Sequence, residues 1–213
     1  MRVKKAALFK KINISDFLCN KVCGFPTPLY LILFALLISG CTATPQPRVY
    51  HLGISTPPLI EKNEKTEILV IETTNLPRHL DRPQLITRSS ENEIIIHEQE
   101  RWAAALDRLF RESLAARLDA ALPDFRVIPV DISGAYGGAN QRIRIQILDF
   151  SSDINGNVRL LGTFGIIRKS AVEREEAFEV QVMAEDSSKG AVIAAHDIAM
   201  GILTRKIIKM IHP

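Results

Sequence analysis

Residues 93–123 read Glu93-Ile-Ile-Ile-His-Glu-Gln-Glu-Arg-Trp-Ala-Ala-Ala-Leu-Asp-Arg-Leu-Phe-Arg-Glu-Ser-Leu-Ala-Ala-Arg-Leu-Asp-Ala-Ala-Leu-Pro123, and the change of rhythm inside them decides the fold class. The opening run, Glu93 to His97, is β-branched and predicts a strand. From about Glu100 to Leu122 the apolar residues Trp102, Leu106, Leu109, Phe110, Leu114, Leu118 and Leu122 recur at spacings of three and four. Asp107, Arg108, Arg111, Glu112 and Asp119 fill the other side, so this segment predicts an amphipathic helix that Pro123 closes.

Working outward, Gln84–Arg88 precedes the strand across Ser89-Ser90-Glu91-Asn92, the layout of a hairpin. Before it stand Glu67-Ile-Leu-Val-Ile-Glu-Thr73 and Val49-Tyr-His-Leu-Gly-Ile54, two further strands, and the proline-broken loop Leu76-Pro-Arg-His-Leu-Asp-Arg-Pro83. Downstream, Phe125–Val130 reads as a strand and Gly134–Asn140 as a loop. Arg142-Ile-Arg-Ile-Gln-Ile147 alternates cleanly, with three isoleucines on one face. Asn155-Gly156 is a strong hairpin signal, leading into Val158–Ile167. Ala177–Met183 sets Phe178, Val180 and Val182 on one face. Gly190–Ile211 is apolar-periodic and ends in Arg205, Lys206 and Lys209, cations that suit a helix C-terminus. Seven or eight strands with two long helices predict an α+β fold, a mostly antiparallel or mixed sheet with the helices packed on one face.

The 213 residues carry 27 Lys and Arg against 24 Asp and Glu, a net of +3. The excess lies in residues 1–40, where Arg2, Lys4, Lys5, Lys10, Lys11 and Lys21 face the single acid Asp16. Leu29–Ile38 is an apolar run too short to span a bilayer, and Ser39-Gly40-Cys41 follows it. This is the layout of a secretory signal peptide. Twenty-eight residues before the apolar run are long for such a segment, and a start codon assigned too far upstream explains the excess. Removing residues 1–40 takes away six cations and one acid and leaves 21 against 23, a net of −2. The basicity therefore belongs to targeting, and nucleic acid falls away as a partner. Cys19 and Cys23 leave with the segment, so Cys41 is the one cysteine of the remaining 173 residues. Thr42–Arg48 reads as a tether of two prolines without apolar periodicity, spanning at most about 25 Å.

No catalytic constellation emerges. His97-Glu98-Gln-Glu100 opens like a zinc-protease helix, but Arg101 stands where the second histidine belongs. The Gly134–Gly138 loop lacks the order of a phosphate cradle, and Gly53-Ile-Ser55-Thr-Pro57 fails as a nucleophile elbow at its last position. His51, His79, His97, His196 and His212 have no ligand spacing. The expectation is a protein with no catalytic residues, no metal and no cofactor.

Two resemblances extend this reading. Ile38-Ser39-Gly40-Cys41 resembles the bacterial lipobox, which implies cleavage after Gly40 and acylation of Cys41, palmitate among the chains added. Two or more chains anchor a protein stably. Thr42 in place of Asp implies, by enterobacterial sorting, export to the outer membrane of a Gram-negative cell, facing the periplasm.

The second resemblance lies further along. Tyr50-His-Leu52, then Leu76-Pro-Arg-His-Leu-Asp81-Arg-Pro-Gln-Leu85, then Trp102-Ala-Ala-Ala-Leu106 resembles the ABC-type transport auxiliary lipoproteins, the PqiC-like family. The match covers most of 49–213 and is concentrated in 70–122. It implies a non-catalytic lipoprotein serving an intermembrane transport system for lipids or other hydrophobic compounds. The partners implied are an ABC permease, an ATPase and an MCE-domain protein, and self-association into a homo-oligomer is open. The alternative is an envelope lipoprotein that assembles or stabilises another structure without transport; a periplasmic hydrolase is a weaker third. The organisation expected is a signal peptide over 1–40, acylated Cys41 with a tether over 41–48, and one α+β domain over 49–213. For partner binding the loop Leu76–Leu85 is the candidate, stiffened by two prolines and carrying Arg78, Asp81 and Arg82. A stiff loop loses little entropy on binding.

Overall fold

Strand β6 (Gln141–Asp153) organises the sheet, because its two edges are used differently. One edge pairs antiparallel with β7 (Asn157–Arg168) from Arg142↔Ile167 to Ser152↔Val158. The other is shared by two shorter strands, both parallel to it. Strand β2 (Glu67–Glu72) takes the first residues, Leu69↔Gln141 to Glu72↔Arg144, and β3 (Gln84–Arg88) takes the last, Thr87↔Ser152 and Arg88↔Asp153. Between β2 and β3 the chain leaves the sheet through the loop Leu76–Pro83. The computed structural model describes residues 45–53, 67–72, 76–130, 139, 141–168 and 171–212. Residues 1–44, including Gly40 and Cys41, and the Gly134–Gly138 loop lie outside the described residues.

The remaining strands extend this frame. Strand β5 (Phe125–Val130) pairs parallel with β2, β4 (Ile94–Trp102) antiparallel with β3, and β8 (Ala171–Met183) antiparallel with β7. Strand β1 (Arg48–Tyr50) lies parallel to the end of β4, Arg48↔Glu100 to Tyr50↔Trp102. Among the described residues the result is one mixed, curled sheet of eight strands with two helices, α1 (Leu106–Ala121) and α2 (Lys189–Ile211), an α+β fold. The hairpins are antiparallel as expected. The non-local pairings of β1, β2, β3 and β5 are parallel, which local sequence rhythm does not reveal.

Alternation does what the pattern predicts. Ile143, Ile145 and Ile147 are buried with Val158, Leu160 and Phe164 of β7 and Phe178 and Val180 of β8, in one cluster with the apolar stripes of both helices. Each such side chain removed from water contributes about 1.5–3 kcal/mol. Helix α2 starts at Ser188, whose hydroxyl accepts from Ala191 N–H at 3.2 Å. No helix among the described residues is long and apolar enough to cross a membrane.

Two glycines are required by geometry. Gly156 turns the β6–β7 hairpin at φ +83°, in the region where an L side chain is strained. Gly162 lies opposite an irregularity in β6 between Ile147 and Asp149, and a Cβ there would stand 2.1 Å from the Gln146 carbonyl oxygen. The bare backbone of Gly162 leaves room for this bulge, which shifts the phase of β6. Leu148 turns out to solvent, while Asp149 and Phe150 are both buried.

The predicted start of the first helix is corrected. Residues 100–102 finish β4, and α1 begins at Leu106. Their backbone is committed elsewhere: Trp102 N–H donates to Pro83 C=O at 2.7 Å, Ala103 N–H donates to Tyr50 C=O at 2.7 Å, and β1 occupies the free edge. Trp102 is still buried, but from the strand side. The first strand is also shorter than the predicted Val49–Ile54, since the chain leaves β4 after Tyr50. Gly53 C=O there accepts from Ser113 Oγ at 3.1 Å and from the Arg117 guanidinium at 2.9 Å, and Arg117 also pairs with Asp197 of α2 at 2.5 Å.

Candidate functional site

The loop between β2 and β3 is held at both faces. Pro77 C=O accepts from Leu80 N–H at 2.8 Å and from Asp81 N–H at 3.2 Å, so residues 77–81 form a tight turn. Leu76 and Leu80 point into the core. Pro83 C=O, through Trp102, fastens the exit to β4. The turn leaves Arg78, His79 and Asp81 exposed, and Arg82 half-buried. Arg82 Nε is buried and has no hydrogen-bond partner among the described residues. A buried unpaired donor costs about 1–3 kcal/mol. The three residues singled out from sequence thus stand on one rigid turn, two of them in solvent.

Beside this loop lies an open groove of about 390 Å³. His79 and Leu80 of the loop border it, together with the β3–β4 turn and Leu148. At its floor the buried Asp149 gathers three groups. Arg159 Nε donates to it at 2.8 Å, Ser151 Oγ donates at 2.6 Å, and Arg88, whose Nε donates to Ser151 Oγ at 2.9 Å, lies 3.7 Å from the carboxylate. One carboxylate therefore serves two guanidiniums, which keeps both charges fixed and oriented. Sequence reasoning missed this cluster. Its signal was an Asp inside an apolar strand; Asp149 and Ser151 share a face by ordinary alternation, and the bulge at Leu148 turns that face away from the one carrying Ile143, Ile145 and Ile147.

A second polar cluster lies where α2 meets the β3–β4 hairpin. His97 Nε2 is 2.9 Å from Thr87 Oγ1 and accepts from Lys189 Nζ at 3.1 Å, while its Nδ1 is 3.9 Å from Glu100. Burial, then the Lys189 charge, lower the His97 pKa, and burial lowers that of Lys189. Close by, a cleft of about 20 Å³, room for a single water, is lined by Trp102, Phe150, Lys189 and His196. His196 stacks edge-on with Trp102 at 5.7 Å and Phe150 at 4.8 Å, and its Nδ1–H donates to Val192 C=O at 2.8 Å. Burial pushes its pKa down to about 4, so it is neutral at physiological pH. This histidine is a core residue. Among the described residues no group of three or more His, Cys, Asp or Glu is placed to hold a metal.

The geometry is that of an α+β domain with a stiff polar loop beside an oriented-charge groove, and this is where likeness to known proteins bears on it. The family model for the ABC-type transport auxiliary lipoprotein component matches residues 50–208, and the chain belongs to that family, one of envelope membrane lipoproteins.

Within it, the chain is similar to the intermembrane transport lipoprotein PqiC of Escherichia coli strain K12, 21% identical over 178 residues that cover 77% of this chain and 93% of the relative. The PqiC of Shigella flexneri matches equally. Two crystal structures share the fold. One is of an uncharacterized protein, with TM-score 0.67, 17% identity and coverage of 78% of this chain and 99% of that one. The other is of a Xanthomonas campestris protein of the DUF330 family, with TM-score 0.58, 17% identity and coverage of 76% and 92%.

Proposed function

We propose that this protein is the non-catalytic, outer-membrane component of an ABC-type transport system linked to an MCE-domain partner, moving lipids or other hydrophobic compounds between membranes. The observation that carries the reading is the extent of the family match, which runs from the last residue of β1, through β2 to β8, into the last turn of α2. Cys41 is the proposed acylation site and residues 1–40 the proposed export segment. The loop Leu76–Leu85 is the proposed partner surface, with Arg78 and Asp81 as exposed polar contacts and Arg82 half-buried beside them.

The role proposed is to hold a partner. The cleft beside His196 has room for a water and not for an acyl chain, and the larger groove is lined by Asp149, Arg88 and Arg159 among others. Oriented charges of this kind suit a peptide or protein surface better than a hydrocarbon tail.

Affinity capture of the acylated protein from detergent-solubilised membranes tests the reading. Recovery of an MCE-domain protein with the permease and ATPase is the expected result. Recovery of other envelope proteins and none of these would favour an assembly or stabilising role without transport. Arg78→Ala with Arg82→Ala tests the surface: co-purification should fall, and unchanged recovery would remove the loop from the contact.

A further inference from the structure

Five exposed apolar side chains gather at one end of the sheet. The registers Arg88↔Ile94, Arg88↔Asp153 and Asn157↔Met183 bring the start of β4, the end of β3, the β6–β7 turn and the end of β8 to that end. There stand Ile94, Ile95 and Ile96 at 39%, 42% and 39% exposure, Ile154 at 58% and Met183 at 63%. They span four strand spacings, about 20 Å. Three isoleucines in succession put side chains on both faces of a strand, so no single layer of the fold buries them.

The other boundaries of the sheet are defended. Strand β5 carries Pro129, which has no N–H to offer a neighbour. The exposed half of β8 reads Ala171-Val-Glu-Arg-Glu-Glu-Ala177, charged on both faces. On β4, β1 pairs only residues 100–102, and among the described residues Ile94–Gln99 have no strand on that edge. This end is left apolar where two other edges are not.

The direction of the chain says what lies there. Strand β1 is parallel to β4, so going backwards from Arg48 the chain heads for the end of the sheet where β4 begins. Ile94 is six residues before Glu100, about 20 Å along β4, and Cys41 is seven residues before Arg48, at most about 25 Å of chain. Seven residues are thus long enough for the proposed acyl anchor to reach the level of the isoleucines. Glu91, Glu93, Glu185 and Asp186 outnumber Arg88 and Lys189 around this end, a balance that disfavours anionic lipid and is compatible with headgroups that carry an ammonium.

We propose that this end of the sheet is a membrane-contacting rim, in which Ile94, Ile95, Ile96, Ile154 and Met183 rest in the headgroup region of the zwitterionic leaflet that holds Cys41. The proposal rests on the lipobox reading of Cys41. It makes the anchor and the rim two attachments of one face, so that the opposite end of β8, with Val172, points away from the bilayer.

The test uses the acylated mature protein on phosphatidylethanolamine–phosphatidylcholine vesicles. With Cys41 acylated, one engineered thiol takes an NBD fluorophore specifically, at Ile95→Cys, Met183→Cys or Val172→Cys. Val172 and Met183 lie on the same strand about 37 Å apart, so the control shares everything but position. On vesicles containing doxyl-labelled lipid, the labels at 95 and 183 should shift to the blue and lose roughly half their emission, while that at 172 does neither. Equal behaviour at all three sites overturns the rim. A blue shift at 95 without doxyl quenching overturns it too, since a second copy or another protein then covers the isoleucines. Deeper quenching on phosphatidylglycerol vesicles overturns the zwitterionic assignment. Detergent-phase partitioning and fatty-acid labelling are read first: a chain that takes no acyl label overturns the anchor reading and the rim together, whereas an acylated, vesicle-bound chain with both labels in water overturns the rim alone.

Discussion

Two sets of three isoleucines are treated in opposite ways by this fold. Ile143, Ile145 and Ile147 alternate with polar residues, face one way, and are at most 1% exposed beneath the helices. Ile94, Ile95 and Ile96 follow one another directly and remain about two-fifths exposed. The chemistry of the side chain is identical, and spacing alone separates a core from a surface. Period two delivers a whole set to one layer, whereas a consecutive run needs something on both faces, which the described residues do not supply. Apolar residues that the fold cannot cover are where an external surface is to be sought.

The comparison breaks most readily through the core. Ile145→Ala should lower the unfolding free energy by about 2–4 kcal/mol, the range for a truncated buried aliphatic side chain. Ile95→Ala, at a side chain already about two-fifths exposed, should lower it by about 1 kcal/mol or less in residues 41–213 with Cys41→Ser. Urea denaturation of the two variants checks this, and similar losses would show that the hairpin isoleucines are packed after all.

Acid sharpens the same contrast. His196 sits on the core side with its pKa lowered by burial to about 4, and in the unfolded chain it titrates near 6.5. Between those values the unfolded state binds the extra proton, so stability is fully present above pH 6.5 and falls as pH drops towards 4. The loss reaches about 3 kcal/mol. His97, also lowered, acts in the same direction. His196→Phe should remove most of the slope in denaturation midpoints measured from pH 7 to 4.

A smaller effect belongs to the junction that fastens the segment after β1 to both helices. Arg117→Ala removes the donor to Gly53 C=O and the pair with Asp197, at a cost of about 1–2 kcal/mol by thermal or urea unfolding. Smallest of all, Arg78→Ala should leave stability within about 0.5 kcal/mol, because the side chain is exposed on a turn held by backbone bonds. A large loss there would make Arg78 a structural residue and not a surface for a partner.

How far the chain could be read before its fold was known follows the same division between local and distant causes. The isoleucine alternation of β6, the Asn155-Gly156 turn and the stripe of α1 act within one element, and each is where its spacing predicts. Trp102 was read one element too late, because the contacts that keep residues 100–102 extended come from Pro83 and Tyr50, 19 and 52 residues away. Parallel placement of β2 and β3 along one edge of β6 is equally distant in origin, and it is what turns Leu76–Pro83 outward. The prolines showed that this loop is stiff. They do not show that Leu76 and Leu80 pin it, and Asp149 needs a bulge for which Gly162 leaves room.

The pinned loop is the surface proposed to meet the transport partner. A photo-crosslinking amino acid at position 78 of the full chain, activated in intact cells, examines that contact directly. A covalent product with an MCE-domain protein, absent when the same group stands at position 172, is the predicted result. Crosslinks only to another copy of this chain, or only to proteins outside any transport system, would contradict it.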